Sequence, residues 1–143
     1  MNRFQILTVV IGVLSLLVGG SLYLLYRPDT LVMFEVCKNL GIYDFIISLR
    51  PQDTINSWMV YSLPDGLWLL AYILLMAALW NFDVRKSLRA SFPLAFIAIG
   101  SELLQIPHLI PGVFDWMDLL CYVMACIIGF IYITIINNHL NHK

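Results

Sequence analysis

The feature that most constrains this chain is a series of four long apolar segments. The first, Phe4 to Tyr26, contains no charged residue, and a helix needs about 20 such residues to cross the ~30 Å hydrocarbon core of a bilayer. The predicted spans are 4–26, 66–82, 91–106 and 115–136, and Pro93 is expected to interrupt the third near its start. Because a helix satisfies its backbone polar groups internally, this pattern predicts an all-α integral membrane protein, a four-transmembrane-helix bundle.

Composition supports a membrane location. The 143 residues are 61% hydrophobic and 12% charged, whereas a soluble domain carries about 25% charged residues. The length predicts a single membrane domain over 1–143. A net charge of −1 gives no indication of nucleic-acid binding, and the cysteines form neither a disulfide framework nor a CxxC metal motif.

The segment 28–63, between the first two spans, contains shorter amphipathic patterns. Apolar residues recur at helical spacing in two runs, first Leu31, Phe34 and Cys37 and then Ile42, Phe45, Ile46 and Leu49. These runs are too short and too charged to span a bilayer, and they predict short helices in the plane of the interface. Trp58 and Tyr61 are residues typical of the aromatic belt at a membrane surface.

The distribution of Lys and Arg predicts the orientation of the spans. Cytoplasmic loops of membrane proteins are enriched in these residues. With the N-terminus inside, the inner segments carry Arg3, Arg85, Lys86, Arg89 and Lys143. The short loop 107–114 on the other side carries neither Lys nor Arg. Both termini are therefore expected in the cytoplasm, with the segment 28–63 outside.

This topology brings acidic residues to the outer side. Asp65 begins the second span, Glu102 lies near the end of the third, and Asp115 and Asp118 begin the fourth. Four carboxylates from three helices are expected to converge there, without an obvious basic partner. Carboxylates also cap helix N-termini, so capping and site roles both stay open for the three aspartates.

Glu102 is the strongest candidate functional residue. It lies about one turn before Pro107, near a helix C-terminus, where the helix dipole is unfavourable for a negative charge. An ionisable residue within a span costs about 3 kcal/mol on insertion scales and usually faces the interior of the helix bundle. This position suits a proton carrier, a general acid or base, or a carboxyl that donates a hydrogen bond. A buried structural hydrogen bond is the alternative interpretation.

Other polar residues lie beside these acids. Gln105 shares a helix face with Glu102, and Tyr122 continues the polar stripe of the fourth span. The candidate catalytic residues are Glu102, Asp118 and Asp65, and the candidate substrate-binding residues are Gln105, Asp115, Tyr122 and His108. Carboxylates bind hard cations such as Mg²⁺, but this spacing is no coordination signature. It predicts no particular metal or cofactor.

The second half of the chain resembles VanZ-like membrane proteins. Their pattern runs Glu-x-x-Gln, then Pro-Gly-Arg, an Asp two to five residues later and a Gly-rich helix end. ELLQ, PGVFDWMD and a later glycine match it at Glu102, Gln105, Pro111, Gly112, Asp115 or Asp118, and Gly129. Asp65 in LPDGLW matches the Asp of an earlier signature. The family's Lys, His and Arg positions hold Gly66, Leu69 and Val113, and the Asn that the family has between the Asp and the Gly-rich end is replaced here. The resemblance covers about 64–130.

The resemblance implies a four- or five-span protein of the bacterial envelope, in the inner (plasma) membrane. The best-known member of the family is associated with low-level teicoplanin resistance. One hypothesis is that the chain binds or modifies a lipid-linked or headgroup substrate at the outer leaflet, with Glu102 as acid or base and Asp118 and Asp65 as its partners. The alternative is a non-enzymatic scaffold or regulatory subunit that contacts another membrane protein. The sequence leaves open whether the chain is an enzyme.

A transporter or proton channel is a third hypothesis. Confinement of the acids to one side argues against it, since the sequence shows no second polar site in the inner half of the spans.

Overall fold

The structure is a computed structural model that describes residues 2–53 and 55–141. Over these ranges the chain forms seven α-helices: α1 Arg3–Tyr26, α2 Val32–Asn39, α3 Tyr43–Ser48, α4 Ser57–Tyr61, α5 Leu63–Leu79, α6 Val84–Gln105 and α7 Trp116–Asn141. Four helices, with α4 and α5 taken as one, are long and apolar enough to cross a membrane. The predicted all-α chain with four such helices is therefore confirmed. Lys143, one of the basic residues expected on the inner side, lies outside the described residues.

The central helix is α5, which packs against α1, α6 and α7. In the most apolar stretch of α4–α5, 50% of the residues are buried, against 17% in each of the other three long helices. Leu69, Ile73 and Ala77 of α5 form one core with Phe82 and Ile133. The other long helices keep exposed apolar faces, which suits contact with lipid chains.

Glycines allow α1 and α7 to approach α5 closely. A Cβ atom at Gly19 of α1 would lie 2.7 Å from Nε1 of Trp68. A Cβ atom at Gly66 of α5 would lie 2.8 Å from Cβ of Cys121 and 3.1 Å from the carbonyl oxygen of the same residue. Small residues permit this kind of backbone approach between membrane helices. Gly66 therefore sets the spacing of α5 and α7 at the end of the molecule where both helices begin.

Antiparallel packing gives the molecule two distinct ends. The ion pair of Arg27 with Asp65 joins the end of α1 to the start of α5, and a hydrogen bond from Gln5 to the Ala78 carbonyl joins the start of α1 to the end of α5. The end at which α5 and α7 begin is called the acidic end, and it carries Asp65, Glu102, Asp115 and Asp118. The opposite end is called the basic end, and it carries Arg3, Arg85, Lys86 and Arg89.

The helical segment that contains the second predicted span begins earlier than position 66, because α4 runs into α5 with Ser62 alone between them. The Ser62 N–H donates to the Trp58 carbonyl at 2.9 Å, and the Ser62 carbonyl accepts from Gly66 N–H at 3.2 Å. Pro64 stands in the first turn of α5, where its missing N–H is not needed. Residues 57–79 thus form a helical segment of 23 residues, and Trp58 belongs to this segment.

The helix that contains the third predicted span also begins earlier than position 91, since α6 starts at Val84 and continues through Pro93. A proline removes one backbone hydrogen bond and crowds the preceding turn. The Tyr72 hydroxyl of α5 donates to the Ala90 carbonyl at 3.1 Å, three residues before Pro93. The carbonyl that Pro93 leaves without its intrahelical donor is that of Arg89, so the Tyr72 bond reinforces the neighbouring carbonyl of the same turn. The expected interruption at Pro93 is therefore absent from α6.

The helices α2 and α3 pack on each other around Phe34 and Ile46. Arg50, which follows α3, joins this pair to the end of α1. Its guanidinium donates to the Leu24 carbonyl at 3.1 and 3.2 Å and to the Arg27 carbonyl at 2.7 Å. These carbonyls lie at a helix C-terminus, where the backbone lacks intrahelical donors. Arg50 therefore caps α1 and holds the α2–α3 pair at the acidic end.

Tyr43 links α3 back to the connection between α1 and α2. Its hydroxyl donates to Oδ2 of Asp29 at 2.7 Å, and this hydrogen bond holds the pKa of Asp29 below its usual range. Several apolar side chains of this unit stay exposed, among them Val32, Leu40 and Phe45.

Candidate functional site

Three helix ends carry the candidate catalytic acids to one place. Asp65 lies in the first turn of α5 and Asp118 in the first turn of α7, while Glu102 lies in the last turn of α6. Their carboxyl groups are close enough to repel one another electrostatically. Antiparallel packing of α6 against α5 and α7 is what brings a helix end beside two helix starts.

Glu102 is the most buried of these acids, with 6% of its surface exposed. Its Oε2 accepts the Asp115 N–H at 3.5 Å, which is longer than the usual range of about 2.7–3.2 Å. A well-stabilised carboxylate in a protein accepts about two or three backbone hydrogen bonds. Glu102 therefore keeps most of its acceptor capacity for a ligand or a proton.

Asp115 has a local structural role as well as its place beside Glu102. Its Oδ1 accepts the Met117 N–H at 2.8 Å, and the side chain is exposed. This bond satisfies one of the backbone donors that the start of α7 leaves free. Its backbone N–H faces Glu102, so Asp115 contributes a donor to the site through the main chain.

Arg27 is a site residue that the sequence analysis missed. The expectation that the acids have no basic partner was wrong, because Nη2 of Arg27 lies 3.5 Å from Oδ2 of Asp65. The guanidinium lies over the rings of Tyr23 and Tyr61, 4.8 and 5.1 Å from their centroids. It also donates to the Val60 and Tyr61 carbonyls at 3.2 and 2.6 Å. The signal in the sequence was its position at the end of the first span, on the same side as Asp65.

Gln105 lies beneath the turn that connects α6 to α7. Gly112, at φ +131°, passes so close that a Cβ atom there would lie 2.6 Å from Nε2 of Gln105. Within the described ranges, Oε1 of Gln105 is buried and has no hydrogen-bond partner. His108 belongs to the same turn but is exposed, and its backbone N–H donates to the Gln105 carbonyl at 3.0 Å. The turn therefore covers Gln105 and leaves His108 at the surface.

Tyr122 lines a cavity of about 250 Å³ that also involves all three helices of the site. Asp65 and Tyr122 supply its polar groups, and the other lining residues are Trp68, Leu69, Leu94 and Ala98. Tyr122 also lies within electrostatic reach of Asp118 and Glu102. The cavity thus combines an apolar wall with a polar edge at the acidic end, a combination common in ligand sites.

Ser62 is a second residue that the sequence analysis missed. It is fully buried, and its hydroxyl lies beside the Asp118 carboxyl group. Neither Oγ of Ser62 nor Oδ1 of Asp118 has a partner with hydrogen-bond geometry among the residues that the structure describes. Buried polar atoms without a partner are few in native proteins, and each points to water, a ligand or strain.

The acids do not form a recognisable metal site. Among residues 2–53 and 55–141, no group of three or more His, Cys, Asp or Glu side chains converges closely enough to hold a metal ion. The carboxylates of the three helices are therefore neighbours, but they are not arranged as the ligands of a metal ion.

Comparison with known proteins adds no assignment. A scan against protein-family models, a search of curated proteins and a search of solved structures all found no match to this chain.

Proposed function

We propose that this chain is a VanZ-like protein whose acidic end binds the polar headgroup of a lipid or a lipid-linked substrate. One observation carries the proposal: the polar edge of the cavity, formed by Asp65 and Tyr122, adjoins an apolar wall that includes Trp68 and Leu69. A lipid has the same division into a polar and an apolar part. Glu102 and the buried Oδ1 of Asp118, which both lie within electrostatic reach of Tyr122, provide acceptors for the headgroup.

The proposed setting is the inner (plasma) membrane of a bacterium, with the four long helices packed as a bundle and both termini in the cytoplasm. The basic residues at one end support this orientation through the positive-inside rule. The helices α2 and α3 would then lie in the outer interface. Exposed apolar side chains on both helices support that placement, since they would meet the acyl boundary.

Each acid has a distinct proposed role. Glu102 is the acid or base, because it is the most buried and has a single long hydrogen bond. Asp118 contacts the headgroup through Oδ1, which has no hydrogen-bond partner among the described residues. Asp65 orients the polar edge of the cavity, since Arg27 holds its carboxyl group.

Native mass spectrometry of the protein in nanodiscs tests the proposal. We expect lipid adducts on the unchanged protein that are lost in both Glu102→Gln and Asp118→Asn. Asp83→Asn is the matched control, because it makes the same chemical change at the basic end and Asn also caps helices. The same adducts on all four proteins would overturn the proposal.

A non-enzymatic partner subunit is the second candidate function. The observation that favours it is that two of the four acids have structural partners: Asp65 pairs with Arg27, and Asp115 accepts the Met117 N–H. This function predicts that Asp115→Asn has no effect, because Asn also caps. Loss of function in Asp115→Asn with normal membrane insertion would contradict it.

A further inference from the structure

Several buried hydrogen-bond acceptors at the acidic end have no partner among the described residues. In the described ranges, Oδ1 of Asp118 and Oε1 of Gln105 are buried acceptors without a partner. The Glu102 carboxylate adds further acceptor capacity, since its bond to the Asp115 N–H is 3.5 Å long. Leaving a buried polar group unsatisfied costs free energy that a suitable ligand would recover.

The nearest cation does not supply the missing donors. The guanidinium of Arg27 is already bound to the Val60 and Tyr61 carbonyls and paired with Asp65. Its position between two aromatic rings also fixes its orientation. Arg27 therefore pairs with Asp65, and although it lies within electrostatic reach of Asp118, it forms no ion pair with Asp118 or Glu102 in the described structure.

Ser62 offers one donor at most. Its hydroxyl is fully buried beside Asp118 and has no partner among the described residues. Rotation of this hydroxyl toward Asp118 would satisfy one acceptor and would leave Gln105 and Glu102 as they are. Because a hydroxyl also accepts, Ser62 can equally receive a hydrogen bond from a ligand.

We infer that the ligand of the acidic end carries a primary ammonium group, a class that fits the neighbouring acceptors of Asp118 and Glu102. A primary ammonium presents three N–H donors and a positive charge, and it has no acceptor. Charge-assisted hydrogen bonds to carboxylates are about twice as strong as neutral ones. A phosphate alone would add acceptors and negative charge to a site that already has unpaired acceptors and acidic groups.

This inference rests on the proposed function, because it names the chemistry of the headgroup that the acidic end would bind. The ammonium group has two plausible sources, the ethanolamine headgroup of a phospholipid or a free amine. The charge of the adjoining cavity does not distinguish the phospholipid from the free amine. Its apolar wall could hold an acyl chain beside Trp68 and Leu94.

Quenching of Trp68 by brominated lipids tests the inference. The probe is a variant in which Trp68 is the single tryptophan, since Trp58, Trp80 and Trp116 are replaced by Phe. Phosphatidylethanolamine and phosphatidylcholine, both brominated on the acyl chain, are compared in mixed micelles. The two headgroups have the same net charge, but the choline nitrogen carries methyl groups in place of N–H donors. We expect about a tenfold lower half-quenching concentration for phosphatidylethanolamine.

The outcomes separate the inference from the proposed function. Equal saturable quenching by both lipids would support a lipid site and overturn the ammonium inference. If neither lipid quenches above the level expected for random contact, both the inference and the proposed function fail. Competition by free ethanolamine would support the ammonium inference and show that the amine is sufficient for binding without acyl chains.

Variants and a second measurement guard against a folding artefact. Asp118→Asn and Glu102→Gln should each reduce the preference for phosphatidylethanolamine toward unity, whereas Asp83→Asn should keep it. Native mass spectrometry of the unsubstituted chain should show the same preference between the two lipids. A preference that persists in both acidic-end variants would overturn the assignment of these acceptors.

Discussion

The acidic and basic ends of the molecule differ in how many of their polar groups have hydrogen-bond partners. At the basic end, Asn2 and Gln5 form a reciprocal capping box with two bonds of 2.8 Å, and Asn2 also donates to Asn81 at 3.2 Å. At the acidic end, buried oxygens of Asp118 and Gln105 have no partner within the described ranges. The capping residues of the basic end are thus bonded to one another, whereas the acidic end keeps buried acceptors without a partner in the described structure.

The acids of the two ends also differ in their local partners. Asp83, at the basic end, accepts the Lys86 N–H at 2.9 Å and lies 3.8 Å from the Lys86 ammonium. Both contacts come from the same turn of α6, so the role of Asp83 is local. Glu102 sits at the C-terminal end of the same helix, where the dipole is unfavourable for its charge. Compared with Asp83, Glu102 therefore lowers the stability of the helix end on which it lies.

Unpartnered hydroxyls occur toward the basic end as well, at Ser87 and Ser91 of α6 in the described structure. A serine hydroxyl in a helix can rotate to the carbonyl of the preceding turn, as Thr8 and Ser15 do at 2.7 and 2.9 Å. A carboxylate oxygen is an acceptor only and has no such alternative. The two ends therefore differ in their unpaired charged acceptors, and the unpaired serines of the basic end do not change this difference.

The largest expected effect comes from breaking the helix spacing at the acidic end. Gly66→Val places side-chain atoms where Cβ and backbone of Cys121 already lie within 2.8–3.2 Å. Overpacking of this kind costs about 1–3 kcal/mol, and we expect the upper part of that range. The unfolding midpoint in a denaturing-detergent titration measures it. Gly20→Val is the control, because a Cβ atom there meets no atom within 4 Å; equal losses in both variants would contradict the prediction.

Removal of the cation is expected to have the next largest effect. Arg27→Gln leaves Asp65 and the Val60 and Tyr61 carbonyls without their donor, and it should cost about 1–3 kcal/mol of unfolding free energy. Lys86→Gln breaks the exposed pair at the basic end and should cost less than about 1 kcal/mol.

A double-mutant cycle sharpens this comparison. Adding Asp65→Asn to Arg27→Gln should recover part of the loss, with a coupling energy of about 0.5–3 kcal/mol for residues in contact. The cycle is measured by the same detergent titration. Additive effects of the two changes would show that the ion pair does not stabilise the acidic end.

Neutralising an unpaired acid is expected to stabilise the ligand-free protein. Asp118→Asn removes a charge close to Asp65 and Glu102, and we expect a gain of about 0.5–1 kcal/mol, in line with functional sites that sacrifice stability. Asp83→Asn should change stability by less than this amount. Thermal unfolding in lipid-free detergent provides the measurement, and a loss of stability in Asp118→Asn would show that this acid is structural.

The smallest expected effect concerns the serines of α6. Ser87→Ala removes a buried hydroxyl without a partner in the described ranges, so stability should change by less than about 0.5 kcal/mol. Thr8→Val removes a hydroxyl bonded to the Phe4 carbonyl and to the Tyr132 hydroxyl, both at 2.7 Å. That change should cost about 1 kcal/mol. A comparable loss in Ser87→Ala would indicate a bound water or ligand at that position.

The observed helix bounds show which parts of the fold the local sequence patterns predict. The uncharged run from Phe4 to Tyr26 corresponds closely to α1, since a long apolar run needs no other element to define it. The starts of α5 and α6 lay outside the predicted ranges. At Pro93 a hydroxyl from another helix, Tyr72, supports the turn where the sequence predicted a break.

The sequence by itself determined the all-α class, the four long apolar helices and the choice of Glu102 as the unusual acid, because apolar length and helix position are local properties of a chain. The tertiary structure alone decided which groups face one another. It brought Arg27 to Asp65, buried Ser62 beside Asp118, covered Gln105 with Gly112 and left His108 exposed. These contacts depend on the rotation and spacing of helices distant in sequence, which small residues such as Gly66 set and no periodicity encodes.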